Sequence, residues 1–447
     1  MGQSYAVGLA EMLIKNQDSD NFRHVDTFKT DCFADTKMRF VIETPPFGTP
    51  WSGKDAKDGQ EQAVRDEYAK GETGRWGHGL PSGGDSQMIF LQSAVDKMDD
   101  FCGRAAIIEN GSPLFNGDTA SGESQIRRWL LESDLIEAII ALPTDLFYNT
   151  GIQTYVWILS KNKRKERKGK IQLINAAEIY HKLRKAVGNK KNEITREDRI
   201  THLYADFVPS DLCKIYDNTE FLYKEYAVMQ PLQRSYAITE ERIEQMLMKG
   251  ALSGVYDEAK IADYESQGVA LADKDKKKYE EMLARKPLYE DILQTLKEHI
   301  SDKVYKEPES FIKYLSGILS CDKKLTERIA DGLSEMDKTA EIQRDKKGNI
   351  IYDKETRDTE IVKYTEDIET YMAREVLPYV PDAKWFWEEN LGAKKPVIKI
   401  GAEIPFTRYF YKYTQPEKSE VLEEKFLTLE KSVSERIKAL FAVKGEE

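Results

Sequence analysis

Along the first two hundred residues the spacing of apolar positions switches repeatedly between two periods. Met38 to Ile42 is an apolar run of strand length. It stops at Pro45-Pro46, because proline offers no ladder N–H and pushes the residue before it out of helical space. Ser86 to Met98 then carries Ile89, Phe90, Ala94 and Met98 at helical spacing, and Ala105 to Ile108 is again a strand-length run. A helix is predicted around Gln125 to Leu131. Asp134 to Leu142, rich in Ile and Ala and closed by Pro143, reads as a strand, as does Thr154 to Leu159 with its β-branched and aromatic residues. This alternation argues for an α/β domain built on a mostly parallel sheet with helices on its faces.

Beyond about residue 205 the pattern changes. Thr239 to Met248, Lys276 to Leu283 and Leu288 to Ile300 have helical spacing with abundant Lys and Glu, and Lys347-Gly348-Asn349-Ile350 reads as a turn between short strands. Near the end, Leu422, Phe426, Leu429, Val433, Ile437 and Leu440 recur at spacings of four and three, which makes one apolar seam on a helix. Such a seam packs either on its own domain or on a partner helix. The expected organisation is an α/β domain over 1–205, a helical region over 206–375, and a tail with an amphipathic helix over 376–447.

Composition narrows the class. With 447 residues and 40% hydrophobic content the chain exceeds one typical domain and can bury a sizeable core. It has no run of about eighteen apolar residues and no basic-then-apolar start, so a cytoplasmic protein without a membrane span is expected. Cys32, Cys102, Cys213 and Cys321 are scattered, which suggests buried free thiols and neither a zinc site nor a disulfide framework. A net charge of −11 argues against nucleic-acid binding over the whole surface, since that affinity comes from neutralised phosphates. Any DNA contact must be local. The best candidate is Lys161 to Lys170, with Lys161, Lys163, Arg164, Lys165, Arg167 and Lys168, which reads equally as a phosphate contact or as a solvated hairpin tip.

The candidate chemistry lies at the first strand's carboxyl end. In an open α/β sheet ligands bind at that edge, so the polar Thr44 of Thr44-Pro45-Pro46-Phe47 is aimed at a substrate and Phe47 can stack on it. Two glycine patterns are set aside. Gly48 to Lys54 has the spacing of a phosphate loop but is followed by Asp55, where Ser or Thr would hold magnesium. Gly71 to Gly79 follows a charged stretch and no strand. Gly48 to Gly84 is expected to be a long mobile loop, read equally as a disordered excursion or as a segment whose Trp51, Arg75, Trp76 and His78 close over a base or lie against DNA.

Thr44-Pro45-Pro46-Phe47 resembles the (Asn/Asp)-Pro-Pro-(Phe/Tyr) motif of amino-methylating DNA methyltransferases, with Thr in place of Asn. Ser86 to Gln92, Gly103 to Ile108, Arg127-Arg128-Trp129-Leu130-Leu131 and Ala141-Leu142-Pro143-Thr144-Asp145-Leu146-Phe147-Tyr148-Asn149-Thr150-Gly151 extend the likeness to the modification (M) subunit of type I restriction-modification systems. So do Tyr371 to Pro381 and Ile400 to Tyr413. The resemblance implies a Rossmann-like methyltransferase sheet and methyl transfer from S-adenosylmethionine to the N6 of adenine. It places Thr44, Pro45, Pro46 and Phe47 around a base flipped from the duplex. It implies DNA, a DNA-specificity subunit clasped by C-terminal helices, and a restriction (motor) subunit as partners.

Two departures matter. The donor needs a glycine-rich turn after a first strand and an acidic residue for its ribose, yet only Gly2 and Gly8 occur in the first 43 residues. The sheet is therefore expected to be incomplete at its N-terminal half. The Thr44 hydroxyl is also shorter than an amide and carries no carbonyl. Both put activity of this chain alone in doubt, and a non-catalytic assembly role is the alternative.

Overall fold

The computed structural model describes residues 2–195, 199–267, 273–413 and 415–442. It divides into one unit of 1–223 with 400–447 and a second unit of 224–399. These divisions fall later than the expected ones at 205 and 375, and the chain returns to the first unit at Ile400.

The first unit begins with helix α1 (Gly2–Ile14), none of whose residues is buried. Strand β1 (Phe40–Glu43) follows, then helices α2 (Gln60–Ala69) and α3 (Gln87–Lys97), strand β2 (Arg104–Glu109), and helices α4 (Ser112–Phe115) and α5 (Gly122–Glu132). Strands β3 (Ile136–Ala141), β4 (Tyr155–Ser160) and β5 (Lys170–Asn175) come next. A hairpin of β6 (His181–Val187) and β7 (Lys190–Glu193) precedes β8 (Cys213–Asp217). The main sheet has the order β1-β2-β4-β3-β5-β8. β1, β2, β3 and β5 run one way and β4 and β8 run against them, so the sheet is mixed.

The local reasons are ordinary ones. α3 buries Met88, Ile89, Leu91, Ala94 and Val95 along one stripe against β1 and β2. α5 starts at Ser121, whose hydroxyl accepts the Ser124 N–H as an N-cap. All six residues of β3 are buried, as expected of a strand covered on both faces. β1 stands at one edge of the sheet, and Phe40 and Ile42 on its outward face are 64% and 83% exposed.

The second unit combines helices with a sheet. Helices Glu240–Met248, Lys286–Glu298, Pro308–Ile318 and Lys323–Gly332 enclose a core of Ile243, Met246, Ile292, Leu296, Phe311, Leu315 and Ile329. The strand Leu222–Pro231, most of which belongs here, pairs with Tyr352–Lys363 and Lys384–Phe386, an element the helical reading of 206–375 did not include. The predicted turn at Lys347 to Ile350 is present, with Gly348 at φ 83°. The final helix, Ser419–Ala442, leaves Leu422, Phe426, Leu429, Val433 and Ile437 between 47% and 68% exposed, and the Leu440 side chain lies outside the described residues. Among the described residues no helix is long and apolar enough to cross a membrane.

Candidate nucleobase-binding site

β1 ends where the two prolines remove the ladder donors, and the chain leaves the sheet as Thr44-Pro45-Pro46-Phe47 with Gly48 at φ 62°. Pro45 is buried, Phe47 half-buried, and Thr44 and Pro46 exposed. Thr44, Pro45 and Pro46 form part of the wall of a cavity of about 700 Å³. Glu43, Phe22, Phe33, Phe40 and Phe90 complete much of its lining. Phe47 is not on that wall, so the aromatic surface at the turn comes from residues the motif does not contain.

The expected mobile loop over 48–84 is instead folded. Trp51 and Trp76 are 2% and 0% exposed and pack with Phe28, Val64 and Ile89. Their indole N–H groups donate to the Ser82 carbonyl (3.1 Å) and the Ser93 hydroxyl (2.8 Å). Once both the apolar area and the N–H of a Trp are satisfied internally, nothing remains to hold it over a base. His78 stacks on Trp129 at 3.7 Å, and burial pushes its imidazole below the ordinary value. Arg75 does reach the cavity, where its guanidinium donates to the Thr27 carbonyl (2.7 Å).

The basic stretch also divides. It is no hairpin tip, because β4 and β5 do not pair; β3 lies between them, and residues 161–169 pass the start of β3. There Asp134, in left-handed backbone at φ 54°, receives Lys163 Nζ at 2.6 Å, the Gly169 N–H at 2.9 Å and Asn218 Nδ2 at 2.8 Å. Burial works against ionising this carboxyl, but those donors hold it below its ordinary range. Lys163 is buried as a result. Arg167 is buried too, beside Glu137 (3.6 Å), bonded to Gln172 (2.8 Å) and the Tyr204 carbonyl, and stacked on Phe207. Lys161 pairs with Asp100 at 2.7 Å. Lys163 and Arg167 thus close the end of the sheet in place of reaching phosphates, and only Arg164, Lys165 and Lys168 of the six candidates stand exposed.

Two acids missed in the sequence border the turn. Glu43 ends β1 and Glu109 ends β2. Glu109 is 0% exposed with neither carboxyl oxygen hydrogen-bonded, and Oε2 of Glu43 is buried without a partner. Burial pushes the Glu43 carboxyl up to about 7; burial, with Asp85 and Glu43 adding like charge, pushes Glu109 well above its ordinary value. The signal was available in that both Ile42-Glu43 and Ile108-Glu109 close an apolar strand on a carboxylate. The cysteines also differ from expectation: Cys213 is buried, but Cys32 and Cys102 are exposed. Among the described residues no group of His, Cys, Asp and Glu is arranged to hold a metal ion.

The chain is 27% identical to the type I restriction enzyme HindI methylase subunit of Haemophilus influenzae over 215 residues, which is 48% of this chain and 41% of that protein. It is 37% identical to the MjaVIII methylase subunit of Methanocaldococcus jannaschii over 126 residues, 28% of this chain and 21% of the other. Among solved structures, a type I restriction-modification methyltransferase subunit from Streptococcus thermophilus is similar at 22% identity and a TM-score of 0.41, over 49% of this chain and 43% of that one. The chain therefore spans less than half the length of these relatives. The sequence model of the N-6 DNA methylase family matches residues 2–234. With more than half of its length matched, including every strand of the main sheet, the chain belongs to the N-6 DNA methylase family.

Proposed function

We propose that this chain is a modification subunit of a type I restriction-modification DNA methyltransferase and that its Thr44-Pro45-Pro46 turn holds the adenine whose N6 is methylated. The observation that carries this reading is the position of the turn: it sits at the carboxyl end of a sheet strand and forms the wall of an aromatic-lined cavity, where open α/β sheets bind ligands. Of the basic stretch, the exposed Arg164, Lys165 and Lys168 are the side chains available to meet DNA phosphates.

Members of this family use S-adenosylmethionine as methyl donor, and the residues ahead of the turn do not fit it. Gly2 and Gly8 both lie in α1, and among the described residues no strand precedes β1, so there is no strand-to-helix glycine turn for the donor to approach. The donor contacts must come from residues other than these. In isothermal titration this polypeptide alone is expected to show no S-adenosylmethionine binding; micromolar binding would falsify that. Mixed with a polypeptide that carries a glycine-rich donor turn, and with the specificity subunit, it is expected to transfer labelled methyl to DNA. Failure of every such mixture would leave the second reading, an assembly subunit without methyl transfer.

A specific observation keeps that second reading alive. The seam of Leu422, Phe426, Leu429, Val433 and Ile437 is solvent-exposed over a 24-residue helix, and a stripe of that kind gains its stability from a partner helix. The seam suits the helical spacers of a DNA-specificity subunit. Co-purification with that subunit should be lost when residues 417–447 are deleted, and retention would count against the assignment.

A further inference from the structure

Glu43 and Glu109 are neighbours by construction. β1 and β2 run parallel with Glu43 opposite Ile107, so Glu43 and Glu109 project to the same face of the sheet one pleat repeat apart. Three of their four carboxyl oxygens are buried with no hydrogen-bond partner, in a protein interior where such groups are the exception. Glu43 also lines the cavity directly beside Thr44. Among the described residues no cation answers these acids. Of the basic groups on the same wall, Lys97 is held by Asp31 (2.5 Å) and the Phe33 carbonyl (2.9 Å), Arg75 by the Thr27 carbonyl, and Arg23 lies exposed. From just ahead of α3, Asp85 adds only more negative charge.

Resting on the adenine reading above, we propose that the Glu43 carboxyl, and not the Thr44 hydroxyl, reads the amino edge of adenine at this turn. A neutral carboxyl carries an O–H donor and a carbonyl acceptor on one carbon. Adenine presents an N6–H donor beside a ring-nitrogen acceptor. The two close as a pair of hydrogen bonds, the acid O–H donating to the ring nitrogen and its carbonyl accepting from N6–H. A single hydroxyl has no rigid donor–acceptor pair of that span. Glu43 thereby supplies the carbonyl that an amide provides in the motif and that Thr44 lacks. Its burial keeps the proton on up to about neutral pH. An ionised carboxylate only accepts, and it repels the ring nitrogen.

The test is titration of the full chain with 2′-deoxyadenosine at pH 6 and pH 8.5, followed by ligand-observed NMR. Wild type is expected to bind at pH 6 and to lose affinity on the order of tenfold or more by pH 8.5, as the carboxyl ionises. Glu43→Gln keeps a donor and an acceptor and is expected to bind with no pH dependence, whereas Glu43→Ala should bind poorly at both values. Thr44→Val should leave the pH dependence in place, and the deoxyriboside of unsubstituted purine, without the amino group, should not compete. Binding by wild type that is insensitive to pH and shared by Glu43→Ala overturns the role of Glu43 and leaves the adenine reading standing. Absence of nucleoside binding by wild type at both pH values overturns the inference together with the reading beneath it.

Discussion

Replacing Arg127 with Met is expected to cost about 3 kcal/mol of stability, the largest loss of any single substitution considered for this protein. Arg127 is 0% exposed, and its guanidinium donates to three backbone carbonyls: Ala402 at 2.7 Å, Pro113 at 3.0 Å and Asn116 at 2.8 Å. Burial pushes its pKa down to about 10, so the group stays charged at neutral pH and its donors stay in place. Two effects oppose each other on substitution. Removing a buried cation recovers desolvation, but it strands the Pro113 and Asn116 carbonyls at roughly 1–3 kcal/mol each and leaves Ala402 only the long Ser124 hydroxyl contact (3.4 Å), and the second sum is larger. Lys would not rescue it, because one ammonium lacks the planar fork that reaches all three. The loss has a location as well. Ile400 to Ala402 is where the chain rejoins the first unit, held there by Gln125, Ser124 and Arg127. Denaturant unfolding should show the loss, and amide exchange should accelerate first at Ala402, whose N–H donates to the Ser124 hydroxyl. An unchanged midpoint for Arg127→Met would show that those carbonyls find other partners.

The opposite sign is expected for Glu109→Gln, which should stabilise the fold at alkaline pH by on the order of 2 kcal/mol, or about 4–8 °C in melting temperature. The sign follows from the direction of the shift. Glu109 keeps its proton in the folded state well above the ordinary value near 4.5, while the unfolded chain gives it up there. Stability from the neutral acid is therefore complete below about pH 4.5 and declines as pH rises toward the folded-state value. Gln has the same shape and cannot ionise. The difference between variant and wild type should be near zero at pH 4, grow as pH rises above about 4.5, and level off once the folded-state acid ionises. Other carboxylates that are held low, Asp31 by Lys97 and Asp134 by Lys163 among them, titrate alike in both proteins and cancel from the comparison. A difference that stays flat across this range would mean that Glu109 finds a partner or water in solution.

Much of the site was legible in the residues. The apolar run before Pro45-Pro46, the helical stripe of Ser86 to Met98 and the strand runs at 105–108, 134–142 and 154–159 correspond to β1, α3, β2, β3 and β4 with boundaries displaced by a residue or two. The resemblance to type I modification subunits is borne out by the family match and by the relatives. The errors share a cause. The reading of 48–84 as a mobile loop followed its glycines and charges, yet Trp51 and Trp76 gain more from joining Phe28 and Ile89 than from solvent. The reading of 161–170 as a basic surface counted charges without knowing that Asp134 and Glu137 wait beneath two of them.

What the sequence determined by itself was therefore local and chemical: where strands and helices run, where the prolines stop β1, which family the motifs belong to, and that Gly2 and Gly8 are the glycines ahead of Thr44. Those follow from period, from proline's missing N–H and from residue identity, all of which are properties of short segments. Tertiary structure alone decided that β3 separates β4 from β5, that Phe47 stays off the cavity wall, that Lys163 and Arg167 turn inward, and that Glu43 and Glu109 share one face without partners. Each of these depends on desolvation, and desolvation is set by which distant segments pack together.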